Sequence, residues 1–418
     1  MIKAKLATLL NNRQNANLII YGLGQAFNLI TPLLVVPHIV GICGIANYGK
    51  ISIGMAISFF IMVFIDYGSD IIGVKDVAVN RENVHELEKT FLTTFASKFV
   101  LLVGVLFVFS MLIWIVPFFN TEKELFFLGL PILIGQCINP TWFLQGVENF
   151  KWITILTIVS KLIYLFGIFF FINAVRDYVF VNLWWGIGTV AANGFALVYV
   201  YRKYRFSFRR TQKQAVVKLL RENFPMFFSQ IFVSLQMYAP IMLIGVFGNN
   251  LMAGQYKIVE QIIVIFKTYI YLFFNFVYPR VCFLWQQSIK EALKFWKTFN
   301  GLNFIFIAFS MAVIYLFSEW CVSYFTKTNI VEISDLLQIA VLIPLLLAIS
   351  IPLKQLLLGD NQQKLYVRIT MVMVIVNLLT MVLLLPKYQI KGVLLTLIVT
   401  EVVTIAVYFC NLKSKINA

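Results

Sequence analysis

Residues 99–119 read FVLLVGVLFVFSMLIWIVPFF, and no charged side chain occurs in this stretch. A run of 18 or more apolar residues predicts a transmembrane helix, because about 20 helical residues cross the hydrocarbon core of a bilayer. The chain of 418 residues is 61% hydrophobic and 12% charged, with a mean hydropathy of +0.87. A soluble domain carries about twice that share of charge. The composition therefore predicts a helical protein that crosses a membrane many times.

Similar apolar runs recur along the chain and divide it into twelve predicted spans. The first run is too long for a signal peptide, and no small-residue cleavage site follows it, so we interpret it as a retained helix. The spans cover residues 15–39, 46–66, 93–117, 125–146, 152–173, 178–200, 223–247, 252–279, 298–320, 334–358, 366–385 and 391–411.

Lysine and arginine are distributed unequally between the two sides of this topology. Of the 34 basic residues, 24 fall in the alternate loops that begin with the N-terminus, and seven fall in the opposite loops. Loop 67–98 contributes Lys98 to the larger group. Cytoplasmic loops carry such an excess, so both termini are predicted to be cytoplasmic. We attribute the net charge of +16 to this topology and not to nucleic-acid binding.

Two cytoplasmic segments have a distinct composition. Residues 201–222 hold eight basic residues and separate six spans from six. We interpret them as an orientation signal that contacts anionic lipid head groups, with docking of another protein as the alternative. Residues 70–92 mix apolar and charged side chains, which predicts an amphipathic helix on the membrane surface.

The two halves of the chain resemble each other at two places. Span one ends with PLLVVPHIVGICGIANYGKI (32–51), and span seven ends with APIMLIGVFGNNLMAGQYKI (239–258). Both have proline in the outer half, a GxxG motif and a tyrosine that opens the next span. Span four contains LPILIGQCINPTWFLQGVENFK (130–151), and span ten contains IPLLLAISIPLKQLLLGDNQQK (343–364). Each has two prolines, then glycine, an acid, asparagine and lysine.

Corresponding spans are six apart, so both copies of the repeat face the same way. This pattern predicts a parallel repeat about an axis along the membrane normal. We therefore expect two six-helix bundles, 1–200 and 223–418, joined by the basic linker 201–222, with a cleft between them. Prolines remove backbone hydrogen bonds and would bend the helices that line this cleft.

Several ionisable residues fall inside predicted spans, where a charge is costly and usually faces a cavity or a partner. Lys161 lies roughly 13 Å into span five at about 1.5 Å per residue. Lys267 and Glu260 lie in span eight, and Glu401 lies near the middle of span twelve. We expect these four side chains to face a water-filled cavity. The alternative is a buried ion pair inside one bundle, such as Glu260 with Lys267.

Lys354 and Asp66 lie near the ends of their spans. They either reach the membrane surface by snorkelling or take part in the same cavity. Lysine is a recognised phosphate ligand, so a cavity with Lys161 and Lys267 would suit an anionic head group such as a diphosphate. The carboxylates would counterbalance these lysines or bind a coupling ion.

Three aromatic residues, Trp142, Tyr238 and Tyr256, lie beside the repeated motifs. They either stack on sugars or pack between helices and at the membrane interface. The sequence contains no Walker loop, no HExxH motif, no GxSxG motif and no large soluble domain. Two histidines and five scattered cysteines give no metal-ligand pattern. We therefore expect neither an enzyme nor a metal site.

Taken in order, the motifs resemble those of the Wzx-type O-antigen and polysaccharide flippases, which belong to the multidrug/oligosaccharidyl-lipid/polysaccharide exporter superfamily. The resemblance covers nearly the whole chain. Its elements are LITPLLVVPHIV (29–40), NYGKISI (47–53), DYG (66–68), VKDVAVNR (74–81), NPTWFLQGVENFKWITI (139–155), FPMFFSQIFVSL (224–235), GQYKIVEQI (254–262), VYPR (277–280) and TEVVTIAVYF (400–409).

This resemblance implies an all-α, V-shaped molecule with a cationic central cavity in the bacterial inner membrane. It implies alternating access that carries an undecaprenyl-diphosphate-linked oligosaccharide, with H⁺ or Na⁺ as coupling ion and no other cofactor. Membrane lipids, a polymerase and a chain-length regulator are the implied partners. The positions carried over from the family pattern are Pro37, Tyr48, Asp66, Arg81, Trp142, Gly146, Tyr256, Glu260, Pro279, Arg280 and Glu401.

From the depth argument and the resemblance together, we assign substrate binding and cavity charge to nine residues. The predicted substrate-binding residues are Lys161, Lys267, Lys354, Arg280, Trp142 and Tyr256. The predicted cavity carboxylates are Glu260, Glu401 and Asp66.

Two other functions remain as alternatives. A membrane-embedded polysaccharide polymerase or ligase would need outward loops with catalytic groups, but the longest such loop, 321–333, holds only Lys327 and Glu332 as charges. A drug/cation antiporter of the same superfamily would need a carboxylate on the first span, and none is present there.

Overall fold

The structure, a computed structural model, describes residues 13–207, 213–360 and 362–416. The central part of the basic linker, 208–212, lies outside these residues, as do Lys3 and Lys5. In chain order, helices α1 to α9 are Arg13–Cys43, Ile45–Asp66, Ser69–Val79, Val84–Ile115, Pro117–Asn120, Lys123–Cys137, Thr141–Gly146, Phe150–Phe171 and Val181–Tyr204. A 3₁₀ turn, Val175–Phe180, precedes α9. Helices α10 to α16 are Lys213–Phe247, Asn250–Gln287, Ile289–Leu316, Ser318–Ser323, Ile330–Ala340, Leu342–Gly359 and Gln363–Ile416.

Eleven helical stretches among the described residues are long and apolar enough to cross a membrane. The last helix, α16, has 54 residues and would extend about 80 Å, whereas the hydrocarbon core is about 30 Å thick. Gln389, with φ 53° and ψ −139°, interrupts it, so α16 is two helices in sequence. The chain is therefore a multi-pass, all-helical membrane protein, and the prediction of about twelve spans is confirmed.

The reversal within α16 depends on a close approach that only glycine permits. A Cβ atom at Gly392 would lie 2.6 Å from the carbonyl oxygen of Leu384 and 3.2 Å from Cβ of Tyr388. Pro386 lies two residues before Tyr388 and removes one helical hydrogen bond. The proline and the glycine therefore end one spanning helix and begin the next with few intervening residues.

Contacts group the described residues into two compact units. Unit 1 comprises the described part of Met1–Gly44 together with Ile51–Tyr238, and unit 2 comprises Ile45–Lys50 together with Ala239–Ala418. The division falls inside α10 and not at the basic linker. Bundle boundaries at 200 and 223 remain a prediction.

In unit 1, glycines allow the spanning helices to pack closely. Gly188 of α9 lies against the backbone of α8, where an added Cβ would come within 2.5 Å of the Ser160 carbonyl oxygen. Gly186 lies against Pro131 of α6 in the same way, at 2.6 Å. Small residues at such crossings are typical of membrane helices, whose association depends on close packing. Helix α9 is thereby held against both α6 and α8.

The predicted amphipathic segment 70–92 is divided in the structure. Helix α3, Ser69–Val79, is short, and it buries Gly73 and Val77 against α7. The remaining residues belong to α4, which begins at Val84 because the Asn83 side chain accepts the backbone N–H groups of His85 and Glu86. The single helix predicted over 70–92 is therefore wrong, because these residues belong to two helices.

Unit 2 has its own hydrophobic core at the junction of α11, α12, α15 and α16. Side chains such as Val281, Leu356 and Leu412 are fully buried there. Polar contacts fix the helices in register, since the Trp296 indole donates to the Pro352 carbonyl oxygen at 2.9 Å. The amide of Asn300 donates to Gln355 at 3.1 Å in the same region.

One pair of motifs from the internal repeat meets within unit 2. A Cβ atom at Gly49 would lie 1.9 Å from the carbonyl oxygen of Asn250, and one at Gly254 would lie 2.0 Å from that of Ile45. The first turns of α2 and α11, which follow the two GxxG motifs, therefore cross in backbone contact. Glycine is required at both positions by this crossing.

Candidate functional site: charged side chains of the spanning helices

A buried ion pair joins α2 to α4 in unit 1. The ammonium of Lys98, with 1% of its side chain exposed, donates to the Asp66 carboxylate at 2.8 Å. The second oxygen of Asp66 accepts the side-chain amide of Gln136 at 2.5 Å. A paired and hydrogen-bonded carboxylate offsets much of its desolvation cost. Asp66, a predicted cavity carboxylate, is thus held between three helices.

Backbone geometry at the end of α2 places a second carboxylate near this pair. Tyr67, with φ 47°, and Gly68, with φ 78°, turn the chain from α2 into α3. Asp70 in the first turn of α3 then lies 4.0 Å from the ammonium of Lys98. Two carboxylates therefore share one lysine, and the cluster carries one surplus negative charge when all three groups are ionised.

The sequence prediction for Lys98 was wrong. It counted Lys98 among the basic residues of loop 67–98, although the predicted span 93–117 also contains it. In the structure α4 begins at Val84, so Lys98 lies about 20 Å along this helix. A signal was present in the sequence. Asn83 followed three residues later by Glu86 is the pattern of a capped helix start, which would have placed Lys98 inside the helix.

Lys161 is the buried cation of α8. It is 8% exposed, and its ammonium lies 3.3 Å from the centroid of the Trp185 ring on α9. Tyr164 packs edge-on against the same ring at 5.1 Å. A desolvated cation–π contact contributes about 2 kcal/mol, less than a carboxylate would supply to a buried charge. No carboxylate in the described part of the chain lies within 4.0 Å of Lys161.

In unit 2, Glu260 is bound by the residues that precede it on α11. The Lys257 ammonium donates to Glu260 at 2.6 Å, and the hydroxyl of Tyr256 also bonds this carboxylate. Tyr256 is 3% exposed. Lys257 and Glu260 are therefore paired within one helical turn. The alternative pairing of Glu260 with Lys267 is not formed in this structure.

Lys267 lies further along α11 and is half-buried. The carboxylates of Glu260 and Glu401 are the acidic groups that act on it electrostatically. Glu401 on α16 accepts a short hydrogen bond from the Ser350 hydroxyl on α15. Three of the predicted residues thus belong to one charged group in unit 2, with a lysine that neither carboxylate engages in an ion pair within the residues described.

Two further predicted cations lie apart from this group. The ammonium of Lys354 lies over two aromatic rings, 4.5 Å from the centroid of Tyr366 and 5.4 Å from that of Phe274. The guanidinium of Arg280 lies 5.2 Å from the Phe283 ring, and its side chain is exposed. Each cation is positioned by aromatic faces of its own unit.

Trp142 occupies a packed position in unit 1. It is 2% exposed, and its ring lies against Gly73, where an added Cβ would come within 2.7 Å. Phe91 and Phe143 pack on other sides of the ring. Its indole nitrogen has no hydrogen-bond partner among the described atoms. Direct stacking on a sugar would therefore require α3 or α7 to move.

Together these positions give each unit a charged centre within its spanning helices. Unit 1 holds the Asp66–Lys98 pair and the separate cation Lys161. Unit 2 holds Lys267 with Glu260 and Glu401. Such residues in membrane helices mark the paths of ions and polar substrates.

Comparison with solved structures identifies the class of fold. The chain superimposes on a lipid II flippase, MurJ in an inward closed conformation, with a TM-score of 0.75, 13% identity, and coverage of 94% of this chain and 87% of that one. It superimposes on an inward-facing MATE family multidrug resistance transporter of the MOP superfamily with a TM-score of 0.69 and 11% identity, over 93% and 94% of the two chains. This chain therefore has the same fold as these two transporters.

The family follows from the sequence comparisons. The model of the family described as "Polysaccharide biosynthesis protein" matches residues 15–285, and the chain belongs to this family. It is 24% identical to the "Putative O-antigen transporter" of Escherichia coli (strain K12) over 71% of this chain and 72% of that protein. It is 21% identical to the protein of the same name from Shigella dysenteriae over 93% and 97% of the two chains. The resemblance predicted from the motifs is confirmed.

Proposed function

We propose that this protein is a flippase that moves a polyprenyl-diphosphate-linked oligosaccharide from the cytoplasmic to the periplasmic leaflet of the bacterial inner membrane. Family membership, the names of its sequence relatives and the MOP-type fold support a transporter of lipid-linked saccharides. The excess of basic residues in alternate loops supports the orientation with both termini in the cytoplasm.

The observation that carries the proposal is the cation Lys161. A buried charge without an ion-pair partner is costly, and in a membrane helix such a charge marks a functional position. The ammonium lies on an aromatic face, which holds it without neutralising it. An arriving diphosphate would supply the missing negative charge. Lysine contacts phosphate as a point charge, so it tolerates the changes of angle that transport demands.

In unit 2, carboxylates offset the charge of the half-buried lysine. Lys267 has two carboxylates within electrostatic range, and Glu260 is already engaged by Lys257. We propose that Lys267 binds the diphosphate at one stage of the transport cycle. Glu260 and Glu401 are the carboxylates that would bind a coupling ion, H⁺ or Na⁺. The head group would thereby avoid direct passage through about 30 Å of hydrocarbon.

The test uses cells that lack the chromosomal gene and express wild-type or variant protein. Lys161→Ala with Lys267→Ala should abolish surface polysaccharide and leave the lipid-linked precursor on the cytoplasmic side. Lys151→Ala is the matched control, since Lys151 is exposed in the first turn of α8. Normal surface polysaccharide in the double variant, at wild-type protein level, would defeat the proposal that these cations bind the cargo.

The same cells separate the alternatives. A drug/cation antiporter would change resistance to small cations without changing the precursor pool. A polymerase or ligase would leave the precursor already translocated but unextended. Accumulation of precursor on the cytoplasmic side is the outcome that only loss of a flippase produces.

A further inference from the structure

Unit 2 contains a cavity, lined by charged, polar and apolar side chains, that the proposed diphosphate contacts do not use. It has a volume of about 340 Å³ and lies between the start of α11, helix α14 and the reversal within α16. A volume of this size is within the range of small-molecule sites in proteins. By the predicted orientation, these segments belong to the outward side of the membrane.

A buried amide at the cavity lacks a partner. Gln255 of α11 lines the cavity and is 1% exposed, yet its side-chain nitrogen has no hydrogen-bond partner among the described atoms. An unsatisfied buried donor costs about 1–3 kcal/mol. A ligand with a hydroxyl or carbonyl oxygen at this point would satisfy it. Gln255 therefore places an unsatisfied donor in the wall of the cavity, just behind its surface.

Opposite charges share the cavity without pairing. Glu332 and Asp335 of α14 line one part of it, and Lys387 and Lys391 of the α16 reversal line another. No ion pair of 4.0 Å or less joins these acids to these lysines within the described chain, although Glu332 accepts a bond from the Asn329 amide. The formal charges cancel, so the cavity does not select a strongly charged ligand. It offers acceptors on one side and donors on the other.

An aromatic ring completes the lining. Tyr388 lies between the two lysines in sequence, lines the cavity and is 57% exposed. Its neighbour Gln389 has the positive φ that reverses the chain, so the reversal presents consecutive side chains to the cavity. Ring hydroxyls of a sugar both donate and accept, and the C–H face of a sugar packs on aromatic rings.

We propose that this cavity binds a pyranose sugar residue, with Gln255, the carboxylates and the lysines bonding its hydroxyls and Tyr388 covering its apolar face. The location on the outward side, which rests on the proposed function, makes it a subsite for a sugar of the cargo as the head group leaves. The diphosphate would be bound elsewhere, by the lysines within the spans.

The test measures sugar binding to the full-length protein in detergent by saturation-transfer difference NMR. The probes are galactose, N-acetylglucosamine and rhamnose at millimolar concentration. Transfer to at least one of them is expected in the wild type and should fall at least threefold in Gln255→Leu and in Tyr388→Ala. Gln338→Leu is the matched control, because Gln338 lies on α14 but bonds Ser318 outside the cavity.

These binding measurements test the sugar site without any transport assay. Absence of transfer to all three sugars, or equal transfer in Gln255→Leu and Tyr388→Ala as in wild type, would overturn the sugar site. Displacement of sugar by millimolar Ca²⁺ without loss in Gln255→Leu would indicate a cation site at Glu332 and Asp335 instead, and would also overturn it. Each variant should elute from a size-exclusion column at the same volume as the wild type, which shows that it is folded. The flippase proposal fails separately, through the lysine variants in cells.

Discussion

The ammonium of Lys98 lies 2.8 Å from the carboxylate of Asp66 and joins the middle of α4 to the end of α2. Both residues are in unit 1, and Gln136 holds the other oxygen of the same carboxylate. Removal of one partner from such a pair leaves a buried charge without compensation, whereas removal of both leaves none. The pair therefore connects two helices structurally, whereas Lys161 has no carboxylate partner among the described residues.

Replacement of Lys98 should destabilise the protein strongly. Lys98→Met leaves Asp66 unpaired and should cost about 3–5 kcal/mol, while Asp66→Asn with Lys98→Met should recover most of that loss. Thermal unfolding of the detergent-solubilised protein measures both. Lys89→Met is the control, because the Lys89–Glu86 pair is exposed and contributes about 1 kcal/mol or less. A double variant no more stable than Lys98→Met would contradict the ion-pair account.

Asp70 should make stability depend on pH. Desolvation by surrounding helices and the charge of Asp66 raise the pKa of Asp70 to about 7, while Lys98 acts in the opposite direction. A carboxyl group with a raised folded-state pKa holds its proton more tightly when folded, so stability falls as pH rises from about 4 towards 7. The melting temperature should therefore drop between pH 5 and pH 8 by less in Asp70→Asn than in wild type. An equal drop in both, with Glu82→Gln as the exposed control, would count against this coupling.

The glycine crossing in unit 2 predicts opposite results at two glycines. Gly49→Ala should destabilise the protein by about 1–3 kcal/mol or prevent folding, because its Cβ would lie 1.9 Å from a backbone oxygen. Gly104→Ala meets nothing within 4 Å in the middle of α4 and should stabilise by about 0.5–1 kcal/mol. Melting temperatures of the two variants test the packing, and a Gly49→Ala protein as stable as wild type would contradict the crossing.

Substitutions at Trp142 distinguish a role in helix packing from a role in stacking on sugars. Trp142→Ala should cost about 3–5 kcal/mol, since it removes a fully buried ring. Trp142→Phe retains an aromatic ring and removes an indole N–H that has no partner among the described atoms, so it should cost much less and preserve surface polysaccharide within about twofold. Loss of polysaccharide in a stably folded Trp142→Phe protein would instead assign Trp142 to the cargo.

Much of the fold could be predicted because a bilayer leaves the backbone few choices. Every apolar run had to become a helix with internally satisfied hydrogen bonds, and so the spans were found from hydropathy alone. Helix ends were less accessible. Span three was predicted to begin at 93, but the Asn83 cap begins α4 nine residues earlier. Lys98 was missed because the predicted loop 67–98 overlapped this span.

For the site, the sequence identified individual charged residues but not their contacts. Depth along a span identified Lys161, Lys267 and Glu401 as charges within helices. Their partners depend on how helices distant in sequence face each other, so neither the contact of Lys161 with Trp185 nor that of Glu401 with Ser350 could be deduced. The sugar cavity was hidden for the same reason, because its lining comes from three separate segments of the chain.

The proposed function depends above all on binding of the cargo's diphosphate by the ammonium of Lys161. Its most direct measurement is translocation of an extracted undecaprenyl-diphosphate-linked saccharide in proteoliposomes, scored by accessibility of the sugar to an enzyme added outside. Wild type and Lys151→Gln should translocate at equal rates, and Lys161→Gln should be slower by at least tenfold at equal reconstitution. Translocation by Lys161→Gln at the wild-type rate would contradict the claim.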